Sequence, residues 1–303
     1  MKKARPKACW ISWGKDRPST LATVEVNKDP GKSDQWSLRI ETETRMRCHS
    51  GTGEVMSTQW DPDDAYDPHR LEKQEALKLP PIHGVLPYDG ARNPLTRSNT
   101  AHRIIAPLVT PATKGMPKAY YFDGEAEWSV ALEALLSPDL YALDVQLPFF
   151  RFKSSKGTKV TFPKHYFDLR ITLRNGFRLA IYVKNGSSLS RRETQDEISA
   201  IEKAMPEDLA DEMIVVNADD YTRPFRINLY QFWIVGEDRD VEADEHVEER
   251  ARSTSYWSVQ DLISKCDLPS NRAFPAIQRL IARRVLGADW YSVISLQSRV
   301  WVN

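Results

Sequence analysis

Cysteine is scarce in this 303-residue chain: Cys9, Cys48 and Cys266 are odd in number, far apart, and form no C-x-x-C pair. That argues against a disulfide framework or a cysteine zinc site and fits a reducing cytoplasm. Long apolar runs are lacking too, since no window approaches the roughly 18 consecutive apolar residues of a membrane span. The basic start MKKARPKACWISWGKD has no apolar run of about 7–15 residues, so no secretory leader is expected. No internal repeat is seen. Net charge is also absent, with 42 Lys and Arg against 42 Asp and Glu. Any contact with nucleic acid must therefore come from locally clustered basic residues.

The sequence does hold enough apolar residues, 41%, for a core, and its 28% charged residues are ordinary for a soluble protein. Its length suits two domains, or one large domain with an appendage. Residues 1–112 read as an N-terminal extension or arm with some β-strands. WISWGKDRPSTLATVEVN (10–27) and QWSLRIETETRMR (35–47) alternate as half-buried strands do. The Pro/Asp-rich stretch 57–99 follows, and its prolines stop regular structure.

Residues 113–235 read as one α/β unit. GEAEWSVALEALLS (124–137) has apolar residues at helical spacing and is ended by Pro138. YALDVQLPFFRF (141–152) and VTFPKHYFDLRITL (160–173) read as successive strands, and FRLAIYVK (177–184) as a strand buried on both faces. ETQDEISAIEKAM (193–205) is an amphipathic helix, EMIVVNADD (212–220) a short buried strand, and PFRINLYQFWIV (224–235) follows. This order predicts an α/β (α+β) fold, a three-layer core with a mixed sheet.

Residues 236–303 read as a second, smaller module. The run 236–252 has eight acidic residues against three Arg. It is a solvated linker or a charged first helix, and its strong helix formers favour the helix. Ser258 and Asp261 have capping-box spacing before VQDLISKC. NRAFPAIQRLIARRVLG (271–287) is a longer helix with Gly287 past its end, and DWYSVISLQSRVWV (289–302) alternates as a hairpin would. Helix, turn, basic helix and hairpin together read as a winged helix.

The chemistry lies in HYFDLRITLRNGFRLAIYVKNG (165–186). Asp168 stands at the mouth of one strand pattern and Lys184 closes the next. This is the layout of a metal-dependent nuclease half-site, D…(E/Q)-x-K, in which strand residues two apart share a face. Glu127, in the preceding helix, supplies a second carboxylate. At the middle position stands Tyr182 instead of Glu or Gln, and a neutral phenol is a poor ligand for a hard cation. The backbone carbonyl of Val183 is the candidate replacement. Asp168, Glu127 and Val183 would then hold Mg²⁺ or Mn²⁺ with several waters.

In order and spacing, the stretch from about Arg97 to Val302 resembles the TnsA family, the endonuclease subunit of heteromeric Tn7-type transposases. The resemblance rests on YFDGEAE (121–127), SPDLYALDVQLP with Gln146 and Pro148, HYFDL, YVK and VQDLISKC. It implies a PD-(D/E)xK restriction-endonuclease-like core with a C-terminal winged helix. Position by position, Glu127 matches the helix carboxylate, Asp168 the central metal ligand and Lys184 the catalytic lysine. The implied cofactor is Mg²⁺ or Mn²⁺, and the implied partners are double-stranded DNA and a transposase, with no membrane and no small-molecule substrate. The implied location is the cytoplasm, at the nucleoid. The chain departs from the family pattern at Phe167, Asp123 and Tyr182.

Other residues extend this picture. Arg191 and Arg192, after Lys184, could contact phosphate, while Ser190 could cap the helix that follows. Arg272, Arg279 and Arg283 lie on the longer C-terminal helix, where a groove-reading helix would place them. Trp257, Trp290, Tyr291 and Trp301 are expected to pack the C-terminal module. His165, three residues before Asp168, faces away from it on an ideal strand and reads as a strand-edge polar residue. Three functions fit: an endonuclease subunit of a transposition machinery, a nuclease fold that binds DNA or transposase without cutting, and a stand-alone defence or restriction nuclease.

Overall fold

The computed structural model describes residues 76–95, 102–156 and 159–303. The strand patterns at 10–27 and 35–47, with Cys9 and Cys48, lie outside the described residues. The described chain is mixed α/β, with seven α-helices and a mixed sheet.

Strands β1 (Ile104–Leu108) and β2 (Lys118–Phe122) form an antiparallel pair that leads into α1 (Glu125–Leu135). Next comes β3 (Leu140–Val145). The expected strands over 141–152 and 160–173 are broken up. Pro148 and Pro163 have no N–H to donate to a ladder. The chain instead makes small separate ladders, in which β4 (Phe150–Arg151) pairs with β7 (Lys164–His165) and β5 (Ser154–Lys156) with β6 (Lys159–Thr161). Strands β8 (Leu169–Leu173) and β9 (Arg178–Lys184) follow as a hairpin. Its turn closes through Gly176, at φ 80°, and Asn175 Oδ1, which accepts from the Phe177 N–H at 2.9 Å.

The short α2 (Gly186–Leu189) and α3 (Arg192–Ala204) lead to β10 (Glu212–Asn217), which completes a four-stranded sheet in the order β10-β9-β8-β3. The β9–β10 pair is parallel and the other two are antiparallel. Both faces of this sheet are covered. Leu179 and Ile181 of β9 join the apolar cluster that holds α1, whereas Ala180 and Tyr182 join the one that holds Ile201 of α3. This alternation is the period of two expected of a central strand.

The stretch 224–235 is helical, as α4 (Arg223–Glu237), and buries Phe225, Leu229 and Phe232. It packs against α1, and against α7 (Ser270–Ala282) beyond it, so one apolar cluster runs from β1 to the C-terminal strands. The acidic run is also helical, as α5 (Val241–Ser253), whose N-cap Asp240 accepts from the Ala243 N–H at 3.1 Å. In α6 (Val259–Lys265), Ser258 Oγ caps the Asp261 N–H at 3.1 Å while Asp261 Oδ2 accepts from the Trp257 N–H at 2.9 Å.

Helix α7 stops earlier than its apolar pattern suggests. Arg284 takes the left-handed conformation at φ 62°, and the Val285 N–H bonds back to the Leu280 carbonyl at 3.0 Å. This is a Schellman stop with arginine where glycine is usual. The Arg284 guanidinium stacks 3.7 Å from the Trp290 ring centroid. Gly287 does not stop the helix. It lies in β11 (Leu286–Ala288) opposite Trp301 of β12 (Val300–Val302), where a Cβ would meet the indole Nε1 at 2.2 Å. The hairpin expected over 289–302 therefore begins before it, 289–298 is a loop, and Arg299 bridges to Ser258. Of the four aromatic residues assigned to packing, Trp290 is buried, but Trp257, Tyr291 and Trp301 are exposed.

Charge decides how α5 meets α7. Arg272 pairs with Asp240 at 2.8 Å and Glu242 at 2.9 Å, and Arg283 with Asp244 at 2.9 Å. Arg279 pairs with Asp244 at 2.8 Å, both side chains 7% exposed, and also donates to the Asp238 carbonyl at 3.0 Å. Removing one partner of a buried pair strands the other charge. Arg279→Ala should lower unfolding free energy by about 3–5 kcal/mol in urea titration. Arg272→Ala, whose pair faces solvent, should cost far less.

Candidate active site

Strand order brings the predicted residues together. Antiparallel pairing sets the end of β3 beside the start of β8, and the start of β8 beside the end of β9. Parallel pairing sets the end of β10 next to β9. Gln146, Asp168, Val183 and Asn217 thus line one end of the sheet. The ladder continues past β3, with the Gln146 N–H donating to the Asp168 carbonyl at 2.8 Å. Helix α1 starts at the same end, with Glu125 and Glu127 in its first turn, where the helix dipole favours negative charge.

Glu127 is buried, and Asp168 is partly buried. Glu127 Oε2 accepts from the Asp123 N–H at 2.9 Å and from Gln146 Nε2 at 3.2 Å. Asp168 Oδ2 accepts from the Val183 N–H at 2.8 Å. Glu127 Oε1 and Asp168 Oδ1 accept no hydrogen bond among the described residues. The N–H and C=O of one strand residue point to the same side, so the Val183 carbonyl also faces the Asp168 side. Loss of water, then the neighbouring Asp168 charge, push the Glu127 carboxyl up to about 8. Loss of water raises Asp168 as well, opposed by the Val183 N–H and by Lys184.

Asp123, Glu127, Val183, Lys184, Arg103 and Ser188 are among the residues that line a cleft of about 380 Å³ at this end of the sheet. Asp123 is clamped by Arg103 at 2.7 Å and Arg92 at 3.1 Å. Burial pulls the Lys184 ammonium down, but the Tyr182 hydroxyl and the charges of Glu197 and Asp168 outweigh it, so Lys184 stays protonated to higher pH than a free lysine.

Tyr182 packs on the α3 face of β9. It does not line the cleft, and its ring lies edge-on to His165, centroids 4.6 Å apart, with Phe167 in the same cluster on the α3 face. Lys184 shares that face, its Nζ 4.6 Å from the Tyr182 centroid, and reaches the cleft because it closes the strand. His165 is not a strand-edge residue. It is 5% exposed and boxed by Phe150, Phe152, Phe167 and Tyr182. Its Nε2 has no hydrogen-bond partner among the described residues. Burial, then Lys184, lower its pKa to about 4, which keeps it neutral.

The expected DNA-contacting arginines divide. Arg272, Arg279 and Arg283 all pair with carboxylates of α5 or its cap, and buried Arg279 is closed to phosphate. Arg191 and Arg192 are exposed at the start of α3 and form no ion pair among the described residues. Arg191 rather than Ser190 is the N-cap of α3, and the Ser190 hydroxyl donates to the Ser187 carbonyl at 3.1 Å. Gln146, Arg92 and Asp123 join the site without having been picked out from the sequence as site residues. Gln146 and Asp123 had entered only as motif positions of the resemblance, and Arg92 not at all.

Among the described residues, no three His, Cys, Asp or Glu side chains group closely enough to hold a metal ion. The donor set is two carboxylates, each with one uncommitted oxygen, and the Val183 carbonyl. This fits a hard cation that keeps most of its waters, and no softer ion. No family model matches the chain, and no curated protein matches it. No helix among the described residues is long and apolar enough to cross a membrane.

The raised Glu127 makes a pH prediction. The folded protein holds this proton above the ordinary carboxylate range, so the native state binds more protons than the unfolded one, and stability falls as pH rises through that window. His165, held neutral, acts with the opposite sign below about pH 6.5. The metal-free protein should therefore lose melting temperature between pH 6.5 and 8.5, and Glu127→Gln should flatten that slope. An equally steep slope in the variant would assign it to another group.

Proposed function

We propose that this chain is a metal-dependent DNA endonuclease subunit of the TnsA type. It would cut phosphodiester bonds at element ends together with a transposase. The observation that carries the reading is the meeting of Glu127, Asp168, Val183 and Lys184, drawn from α1, β8 and β9, at one end of a mixed sheet with a cleft beside it. A sheet with helices on both faces is compatible with a PD-(D/E)xK core. Three helices followed by a short antiparallel ladder agree with a winged helix.

In this reading Glu127, Asp168 and the Val183 carbonyl hold Mg²⁺ or Mn²⁺. The ion would supply an acidified water and neutralise phosphate charge. Lys184, held as a cation, places positive charge at the cleft wall where a phosphate oxygen would sit. The Asp123 N–H and Gln146 fix the Glu127 carboxylate. Arg191 and Arg192 are the exposed charges nearest in sequence that could follow a DNA backbone beyond Lys184, in keeping with a neutral chain that binds DNA locally. Element ends, a transposase partner and a nucleoid location belong to this proposal.

A second reading, a nuclease fold that binds DNA or transposase without cutting, is favoured by one observation. Tyr182 is packed into the α3-face cluster, which leaves two carboxylates where the family pattern has more ligands. Mn²⁺-dependent nicking of duplex DNA separates the two. Asp168→Ala should reduce nicking by more than the about 10–100-fold typical of losing a group that only supports a metal ligand, with DNA binding by gel shift retained. Loss of binding along with nicking would make Asp168 structural. A wild type that binds DNA and never nicks, alone or with a transposase, would favour the second reading.

A further inference from the structure

Gln146 is fully buried, yet its backbone sits in the left-handed region at φ 50°, where a residue with a side chain is uncommon. Glycine or asparagine would satisfy the turn more easily. All four polar groups of this residue are in use. Its N–H donates to the Asp168 carbonyl at 2.8 Å, and its carbonyl accepts from the Ala91 N–H at 2.9 Å. Its Nε2 donates to Glu127 Oε2 at 3.2 Å, and its Oε1 accepts from Arg92 Nε at 2.8 Å. Arg92 in turn reaches Asp123, and Tyr88 of the same segment stacks on Tyr121 with centroids 4.0 Å apart. The Pro-rich segment 76–95 is thus tied across the body and delivers a guanidinium to the acidic site.

We infer that Gln146, anchored by Arg92, is a positioning residue that orients the Glu127 carboxylate, so that segment 76–95 forms part of the site. The amide orientation is itself determined. Arg92 can only donate, so Oε1 must face it, and Nε2 is then left to face Glu127. With Oε2 pinned by two donors, Glu127 Oε1 is turned free. The inference rests on the metal-dependent reading above, and it locates the polar group that β9 lacks at Tyr182: it comes from the end of β3.

The test is Mn²⁺ affinity by calorimetry on the full chain, with thermal unfolding in the same buffer, for wild type, Gln146→Leu, Gln146→Glu and Asp168→Ala. Groups that orient a metal ligand typically govern affinity by about 10–100-fold. Gln146→Leu should weaken Mn²⁺ by that factor. Gln146→Glu keeps an oxygen for Arg92 but replaces the Nε2 donor with an oxygen facing Glu127 Oε2, so it too should weaken Mn²⁺ by about 10–100-fold. If Gln146→Leu does not fold, Gln146→Asn replaces it, since asparagine tolerates the left-handed region but is too short to bridge Glu127 and Arg92; the same 10–100-fold loss is expected. Variants that change melting but leave Mn²⁺ affinity untouched would overturn the inference alone, provided Asp168→Ala removes binding. A wild type that binds no Mn²⁺, or binding that Asp168→Ala leaves intact, would overturn the metal-dependent reading and this inference with it.

Discussion

Two carboxylates held out of water beside each other oppose the folding of the body that holds them. Glu127 and Asp168 are in that position, and the surrounding structure offsets the cost. Backbone N–H groups of Asp123 and Val183, the Gln146 amide and the charges of Arg92 and Lys184 all bear on the pair. They come from four separate places in the chain: segment 76–95, the start of α1, the end of β3 and the end of β9. The strand order of the sheet is the constraint that gathers them, since reversing any one of its pairings would send a member to the far end.

Strand β9 divides its side chains between two packed faces by parity. Its odd residues face the α1 side and its even residues the α3 side. Tyr182 therefore belongs to the aromatic box around His165, while Val183 offers its backbone to Asp168. Only at the strand's last residue, Lys184, can an even position reach the cleft. The same economy of charge governs the C-terminal half. The acidic α5 satisfies the arginines of α7, which explains how a locally basic helix sits in a chain with no net charge.

Local pattern made much of this legible. The apolar periodicity of 124–137 and 193–205, the continuous run at β9, the acidic run of α5 and the Ser258 cap each depend on neighbours in sequence, and each matches an observed element. Glu127, Asp168 and Lys184 were legible for the same reason, because each stands at an element end that periodicity locates. The end of α7 was not, because a left-handed arginine stacked on Trp290 replaces the glycine that sequence rules expect.

The residue types and the longer helix and strand periods were settled by the sequence, since such periods are local properties of the chain. Which side chains meet was settled only by tertiary structure. Whether an arginine faces a phosphate or an aspartate depends on what packs opposite it, and α5 lies opposite Arg279. Gln146 and Arg92 are 54 residues apart and meet through a buried amide that no spacing rule encodes. A local pattern sets the face on which a side chain lies, but long-range contacts, paid for by burial, choose its partner.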